Sequence, residues 1–340
     1  MGKIPKRLTI DDIAKLAGVS PTAVSFVING KDGIGAATRE KVNAVIEATG
    51  FRPNVTSRKL SFRKSFNIAL IYPSSASPFS DLYYYEIARG LTEKFSEHEY
   101  NVVFASLNVT NSSHTELPKI LKNRDADGAV LLQDMDLSIL SDIDNLEIPY
   151  VLIDIHTNDF LHTHVSVDSE KSIYEAVKYL IKNGHKKIAF LGSDWLPSYY
   201  LQCLNGYQKA LGEYNLPIHP SWIQKHANNQ KGTEDCINTI LECRERPTAI
   251  CCMGDIYAID AISIVKAMGL SVPKDMSFIS IDDIILSRYI DPPLTTISYD
   301  KQLMGQIAAE LLLGKIAGNF VESVIVESDT IIERMSVKLN

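Results

Sequence analysis

The fold class this sequence predicts is a small all-α head, built on a helix-turn-helix, followed by a larger α/β body. Three observations predict it. The first 30 residues hold two short helical patterns separated by a tight turn. After Lys64, short apolar β-rich runs alternate with helical patterns. Charge divides at the same place: residues 1–64 hold twelve Lys and Arg against five acids, a net +7, while the remainder carries −14. A basic segment on an acidic chain fits a head that neutralises phosphates and a body that does not.

The head is legible residue by residue. Thr9 can cap a first helix, with Asp12 three residues on as the reciprocal partner of a capping box. Ile10, Ile13, Ala14, Leu16 and Ala17 then give an apolar face at helical spacing. Gly18 suits a left-handed cap at the end of that helix. Ser20 caps a second helix, and Pro21 occupies its first turn, where a missing N–H costs nothing. Val24, Val27 and Ile28 face back onto the first helix, which leaves Pro21, Thr22, Ser25, Phe26 and Asn29 outward. That is the layout of a helix whose outer face enters the DNA major groove. The alternative is an ordinary helical hairpin.

In the body, apolar runs fall at Phe66–Tyr72, Val102–Ser106, Gly128–Leu132, Tyr150–Asp154, Ile188–Gly192, Ala249–Met253, Phe278–Asp282 and Ser323–Val326. Helical patterns such as Ser172–Asn183 and Ala258–Gly269 lie between them. Continuous β-rich runs flanked by helices predict parallel sheets covered on both faces. A span this long exceeds one comfortable α/β core, so two sheets are expected.

Several function classes are excluded or unsupported. No run is long and apolar enough to span a bilayer, and the polar, basic N-terminus predicts no secretory leader. Lys6 stands where a myristoylation signal after Met1-Gly2 wants Ser or Thr. The five cysteines, 203, 236, 243, 251 and 252, lack CxxC spacing and read as free thiols of a reducing cytoplasm. The sequon Asn108-Val109-Thr110 has no meaning in that compartment. Gly33-Ile34-Gly35 follows no strand, so it is no dinucleotide fingerprint. Phosphate-cradling and Gly-x-Ser-x-Gly nucleophile motifs are absent. His162 and His164 have metal-like spacing without a third ligand and are expected in an exposed loop. No cofactor, metal or catalytic residue is therefore expected.

Thr9-Ile10-Asp11-Asp12-Ile13-Ala14, Ala17-Gly18-Val19-Ser20, Val24-Ser25 and Asn29-Gly30 resemble the head of the lactose/galactose repressor family. Thr38-Arg39-Glu40-Lys41-Val42 resembles the start of its third helix. Gly50-Phe51-Arg52-Pro53-Asn54 and Ser57-Arg58-Lys59-Leu60 resemble its hinge. The resemblance continues more weakly through Asp282-Asp283 and Pro292-Pro293-Leu294-Thr295-Thr296. It implies a head over residues 1–52, a hinge over 53–63, and a body over 64–340 of periplasmic-binding-protein type. That body has two Rossmann-like lobes, one of about 64–164 and 294–321, the other of about 165–293 and 322–340, with chain crossovers near 165, 292 and 321. It further implies a homodimer whose heads read a pseudo-palindromic double-stranded operator, and a small carbohydrate-like effector between the lobes. The ten residues after the last expected strand are too short for a heptad seam, which predicts nothing larger than a dimer. A rival reading is a cytosolic sugar-binding or sugar-processing protein with an incidental helical head.

The resemblance places Thr9, Ser20, Pro21, Thr22, Ser25, Phe26 and Asn29 of the head, and Asn54, Ser57, Arg58 and Leu60 of the hinge, against DNA. Phe26 stands where the family often has Arg. It can contact a thymine methyl, pack on sugar, or be buried against the hinge. Leu60 would wedge into the minor groove beside its dimer mate; a plain linker with Leu60 packed on the body is the alternative. For the effector the resemblance points to Phe79, Tyr83, Asp154, Tyr199, Cys203, Asp255 and Asp282, with Asp154 and Asp282 as acceptors for sugar hydroxyls. Asp283 is expected to face solvent or cap a helix. The chain departs from the family here. Cys203 replaces the cleft Arg three residues before Gly206-Tyr207, Gly254 replaces an Asn, and the aromatic expected near Ala227-Asn228 is missing. The segment from Ser77-Pro78-Phe79 to Arg89-Gly90 is about four residues longer and contains Tyr83-Tyr84-Tyr85, residues that fit a cleft, a core or a dimer interface. A different or larger sugar than the usual monosaccharide is expected.

Overall fold

A computed structural model describes residues 8–28, 31–51, 64–73, 78–79, 81–107, 116–133, 138–155, 162–327 and 330–338. The chain divides into a unit ending at Phe66 and a larger one from Asn67 onward.

The first unit holds α1 (Ile10–Ala17), α2 (Pro21–Ile28) and α3 (Ala36–Thr49). The capping box forms: Asp12 N–H donates to Thr9 Oγ1 at 3.3 Å, and Thr9 N–H donates to the Asp12 carboxylate at 2.9 Å. Gly18 takes φ 65°, closing α1 in the left-handed region. Ser20 Oγ accepts from Ala23 N–H at 3.2 Å at the start of α2. Ile13, Ala14, Val24, Val27, Val42 and Phe51 form the core. Leu16 departs from the expected apolar face: it is 60% exposed. It lies away from the Ile13–Ala14 stripe that α2 and α3 cover.

The second unit is built on two six-stranded sheets. The first has the order β11-β5-β4-β3-β1-β2, from β1 (Asn67–Pro73), β2 (Asn101–Leu107), β3 (Gly128–Leu132), β4 (Tyr150–Ile153), β5 (His164–Val167) and β11 (Val324–Val326). The second has the order β12-β10-β9-β8-β6-β7, from β6 (Ile188–Leu191), β7 (Ile223–Gln224), β8 (Ala249–Cys252), β9 (Ser277–Ile281), β10 (Thr295–Ser298) and β12 (Thr330–Ile332). Among the described strands, neighbours pair in parallel except β10 with β12. Strands β3, β4, β6, β8 and β9 are buried along their whole length, as helices on both faces require. The chain changes sheet between Val167 and Ser169, between Ser298 and Lys301, and between Val326 and Thr330. These crossings lie later than the expected 165, 292 and 321, because Thr295–Ser298 pairs with β9 and Val324–Val326 pairs with β5.

Two helix pairs cover the sheets at unusually close range. In the first lobe, α4 (Leu82–Glu97) packs on α11 (Lys301–Ile316). A Cβ on Gly90 would lie 2.0 Å from the Gln302 carbonyl, and one on Gly305 would lie 2.1 Å from that of Ile87. In the second lobe, α7 (Ser169–Lys182) packs on α8 (Pro197–Glu213), where a Cβ on Gly206 would lie 2.2 Å from the Glu170 carbonyl. Side chains at these points would force the backbones apart. Neither His162 nor His164 is exposed, and His164 lies in a strand and not in a loop. His164 opens β5, its N–H donating to Ser323 Oγ at 3.1 Å, and His162 Nδ1 lies 2.8 Å from the Tyr150 hydroxyl. Cys203, Cys236, Cys251 and Cys252 are buried free thiols, and Cys243 is half-buried.

Candidate functional site

In the head, Pro21 and Thr22 are exposed while Ser25 and Phe26 are half-buried on the outer side of α2. Lys31 Nζ sits 5.6 Å from the Phe26 ring centroid, a cation–π contact that holds a positive charge beside this face. Arg39 of α3 donates to the Lys31 carbonyl at 2.9 Å. Thr9 and Ser20 are exposed, and both hydroxyls already cap helices. Asn29, Gly30 and the hinge residues Asn54, Ser57, Arg58 and Leu60 lie outside the described residues.

In the body, strand register builds the site. Leu132 pairs with Ile153, so the next residues, Gln133 and Asp154, emerge side by side from β3 and β4. Ile281 pairs with Ile297, which brings Asp282 and the Ser298–Tyr299 turn together in the other sheet. Gln133, Asp154 and Asp282 all take positive φ, at 67°, 57° and 111°. Non-glycine residues in that region cost about 1–3 kcal/mol each and gather at binding sites. All three line a cavity of about 410 Å³ at the carboxyl ends of both sheets, where open α/β folds take ligands.

One side of the cavity is Asp81, Leu82, Tyr83, Tyr84, Gln133, Asp154 and Val167. The other is Leu196, Tyr199, Met253, Gly254, Ile256, Tyr257, Asp282, Ile284 and Leu286, with Tyr299 at a crossing segment. Its hydroxyls are organised. Tyr84 donates to Asp154 Oδ2 at 2.8 Å, Tyr299 to Asp282 Oδ1 at 2.7 Å, and Tyr199 to the Met253 carbonyl at 2.6 Å. Burial pushes the phenols of Tyr83, Tyr84, Tyr199 and Tyr299 well up, so they are neutral donors. Tyr83 meets Tyr84 edge-on at 4.9 Å and Tyr299 at 6.2 Å. Burial, and then the nearby Asp255 charge, drive the Asp282 carboxyl well above the usual carboxylate range; the Tyr299 hydrogen bond and Lys301 oppose this. Asp81 is also raised, chiefly by burial, although it caps α4 by accepting from Tyr83 N–H at 2.9 Å.

Tyr83, Asp154, Tyr199 and Asp282 thus meet in one cavity, and three other expected contacts do not line it. Phe79 is 72% exposed, its ring 4.7 Å from Phe104 beside a shallower hollow shared with Tyr85. Cys203 is fully buried under Tyr199 in the second lobe's core, and burial raises its thiol well above the ordinary value. Asp255, the first residue of α10 (Asp255–Ala267), points into the protein. Its carboxylate accepts from Thr296 Oγ1 at 2.6 Å, Ile284 N–H at 2.9 Å, Ser280 and Ser287. Asp283 is neither solvated nor a helix cap: it pairs with Arg334 at 2.6 Å. Of the Tyr83-Tyr84-Tyr85 run, Tyr83 and Tyr84 line the cavity and Tyr85 does not; Asp81, Gln133, Tyr257 and Tyr299 are cavity residues that sequence reasoning missed. Gln133 ends an apolar run and was open to the same strand-end rule that finds Asp154.

Among the described residues, no helix is long and apolar enough to cross a membrane, and no group of His, Cys, Asp or Glu could hold a metal. Residues 9–54 match the bacterial regulatory proteins of the lacI family, and residues 177–337 match a periplasmic binding protein-like domain. The chain is 32% identical over 322 residues to the HTH-type transcriptional repressor PurR of Aliivibrio salmonicida, covering 94% of this chain and 95% of that one. It is 31% identical over 309 residues to the ribose operon repressor of Haemophilus influenzae, covering 91% and 92%. Its fold matches the lac repressor dimer bound to operator and the anti-inducer ONPF, with a TM-score of 0.81 at 22% identity over 97% of this chain and 99% of that one. With a relative 32% identical over 94% of its length and a family model matching its head, the chain belongs to the lacI family of bacterial regulatory proteins.

Proposed function

We propose that this chain works as a cytoplasmic homodimeric repressor, not an enzyme, whose operator affinity is set by a hydroxyl-rich, carbohydrate-like effector in the 410 Å³ cavity. The carrying observation is that Asp154 and Asp282 reach that cavity from different sheets. One ligand that bonds both carboxylates favours one arrangement of the two lobes. Only such differential affinity can change DNA binding. On the DNA side, Pro21, Thr22, Ser25, Phe26 and Asn29 face base edges, and Thr9 and Ser20 stand by phosphates. Asn54, Ser57, Arg58 and Leu60 engage the centre of a pseudo-palindrome. Phe26 offers no bidentate donor pair, so guanine is not selected at its step.

The test is selection of full-length protein on randomised double-stranded DNA, followed by binding to the enriched sequence across a salt series. A two-fold symmetric sequence is expected, with affinity falling linearly in log salt at about −0.9 per phosphate neutralised. Failure to enrich any sequence refutes the reading. An enriched sequence whose binding is indifferent to every carbohydrate that stabilises the protein refutes the effector half alone.

A further inference from the structure

The two walls of the cavity differ in chemistry. Five described residues of the first-lobe wall carry hydrogen-bonding groups: Asp81, Tyr83, Tyr84, Gln133 and Asp154. The second-lobe wall lies wholly within residues 162–327, and five of its residues are apolar: Leu196, Met253, Ile256, Ile284 and Leu286. These five lie at two depths. Met253 and Ile284 are buried, whereas Ile256 is 51% and Leu286 41% exposed. A side chain that both lines a cavity and meets solvent stands at its mouth. The mouth of the second lobe is therefore an aliphatic rim, and the polar second-lobe groups Tyr199 and Asp282 are less exposed than it.

The rim is built, not incidental. The Asp255 carboxylate turns inward to the Ile284 amide and to Ser280, Ser287 and Thr296. α10 buries Ala258, Ala261, Ile262 and Val265 on one face, and helical spacing puts Ile256 on the opposite face. The turn Ile285–Arg288 is drawn in at Ser287, which leaves Ile285 and Leu286 outward. One buried carboxylate thus fixes the two segments that present Ile256 and Leu286. Leu196 breaks a local rule to join them. It is the N-cap of α8, makes no side-chain capping bond, and leucine is among the poorest residues at that position. Trp195 beside it in the chain is 65% exposed. Large apolar side chains held open to water at a cavity mouth mark a surface that a ligand covers.

We propose that the effector is a glycoside with an apolar aglycone, whose sugar hydroxyls meet the polar first-lobe wall while the aglycone lies on Leu196, Ile256 and Leu286. The proposal rests on the reading of this cavity as a carbohydrate-effector site. Covering the rim removes apolar surface from water, so affinity rises with the apolar area of the aglycone.

The experiment is titration calorimetry of the full chain with glucose, galactose and mannose, and with the methyl and phenyl glycosides of each in both anomeric forms. In at least one pair the phenyl glycoside is expected to bind at least about tenfold more tightly than the methyl glycoside. Ile256→Ser and, separately, Leu286→Ser should each narrow that ratio to about threefold or less while thermal melts remain cooperative. Leu196→Ser should narrow it too and yet melt at a higher temperature, because serine can cap α8; a purely structural leucine would not give both changes. Equal affinities within every pair that binds, or binding by free sugars alone, overturn the proposal and leave a carbohydrate effector standing. A phenyl preference that survives all three substitutions places the aglycone off the rim and also overturns it. No binding below about 1 mM by any sugar or glycoside overturns both readings.

Discussion

Asp255→Ala is expected to unfold the body early and to weaken ligand binding, although Asp255 does not line the cavity. Its carboxylate holds four donors: the Ile284 amide and the hydroxyls of Ser280, Ser287 and Thr296. Alanine leaves the amide without its acceptor, and each unsatisfied buried group costs about 1–3 kcal/mol. The hydroxyls can rotate to other acceptors in part, and removing a buried charge returns some free energy. A net loss of about 3 kcal/mol follows, within the range for breaking a buried charged network. For a unit of this size that is a Tm drop of about 6–12 °C. Asparagine separates the components. Its amide oxygen can still accept from Ile284 and Ser287, and its NH2 can donate to Ser280 and Thr296, whose hydroxyls can accept. Asp255→Asn should therefore cost only about 1 kcal/mol. Ligand affinity should fall in the alanine variant because Ile284 and Leu286 of the tethered turn line the cavity. Urea denaturation with calorimetric titration measures both. An alanine variant as stable as the parent, or an asparagine variant less stable than the alanine one, would refute the network's role.

The other expectations can be measured on the same protein. Because burial holds Asp282 above its ordinary value in the fold, the folded state keeps a proton that the unfolded chain releases. That contribution is complete below about pH 3.8 and is lost as pH rises through the folded value, so Asp282→Asn should gain Tm relative to the parent as pH rises from 5 to 8; parallel curves would count against it. Gly206→Ala should destabilise by about 2 kcal/mol or more, since its Cβ would meet the Glu170 backbone at 2.2 Å, whereas Gly212→Ala on the same helix meets nothing within 4 Å and should stabilise by about 0.4–1 kcal/mol; equal melts for the two would show that α7 and α8 can part freely. Tyr299→Phe keeps the ring but removes the hydrogen bond to Asp282, and should weaken ligand binding while leaving ligand-free DNA binding intact; loss of both together would mark it as structural. Phe26→Arg should shift operator preference toward guanine at one step by about 1–3 kcal/mol, and identical selected half-sites for the two proteins would remove Phe26 from the base-reading face.

Much of the architecture was open to sequence reasoning because the buried strands are continuous apolar runs. GAVLL, IAFL and AICC are β3, β6 and β8, found at their boundaries or within a residue. The strands that escaped are short and polar: HVSV, IQ, TTIS and TII, each two to four residues long. Three of these, β5, β10 and β12, flank the crossings, so the crossings were displaced with them. Nothing in TTIS says that it pairs with β9; tertiary register decides that. The same limit governs the site. Asp154 and Asp282 end apolar runs and reach the cavity, but Asp255 begins a helix after such a run and turns inward to four donors. Asp81 hides in the sequence because a carboxylate before a helix looks like a cap. It is one, and it also lines the cavity.

One crossing segment is tied directly to the cavity. Tyr299 lies between β10 of the second sheet and α11, which packs on the first, and its hydroxyl donates to Asp282. Two residues on, Lys301 opens α11 and grips the Asp282 and Asp283 carbonyls. α11 in turn is locked onto α4 at Gly90 and Gly305, and the start of α4 carries Tyr83 and Tyr84 into the cavity. A ligand that draws Asp282 and Asp154 together therefore pulls on the connection through which the first lobe's helix pair is anchored. Close packing makes each lobe resist deformation internally, so the displacement is expressed at the crossings. Ligand discrimination between lobe arrangements then depends on how differently the two carboxylates are engaged in each, and a tenfold change in operator affinity needs a difference of only about 1.4 kcal/mol. That is within the worth of a single hydrogen bond to Asp154 or Asp282, about 0.5–1.5 kcal/mol.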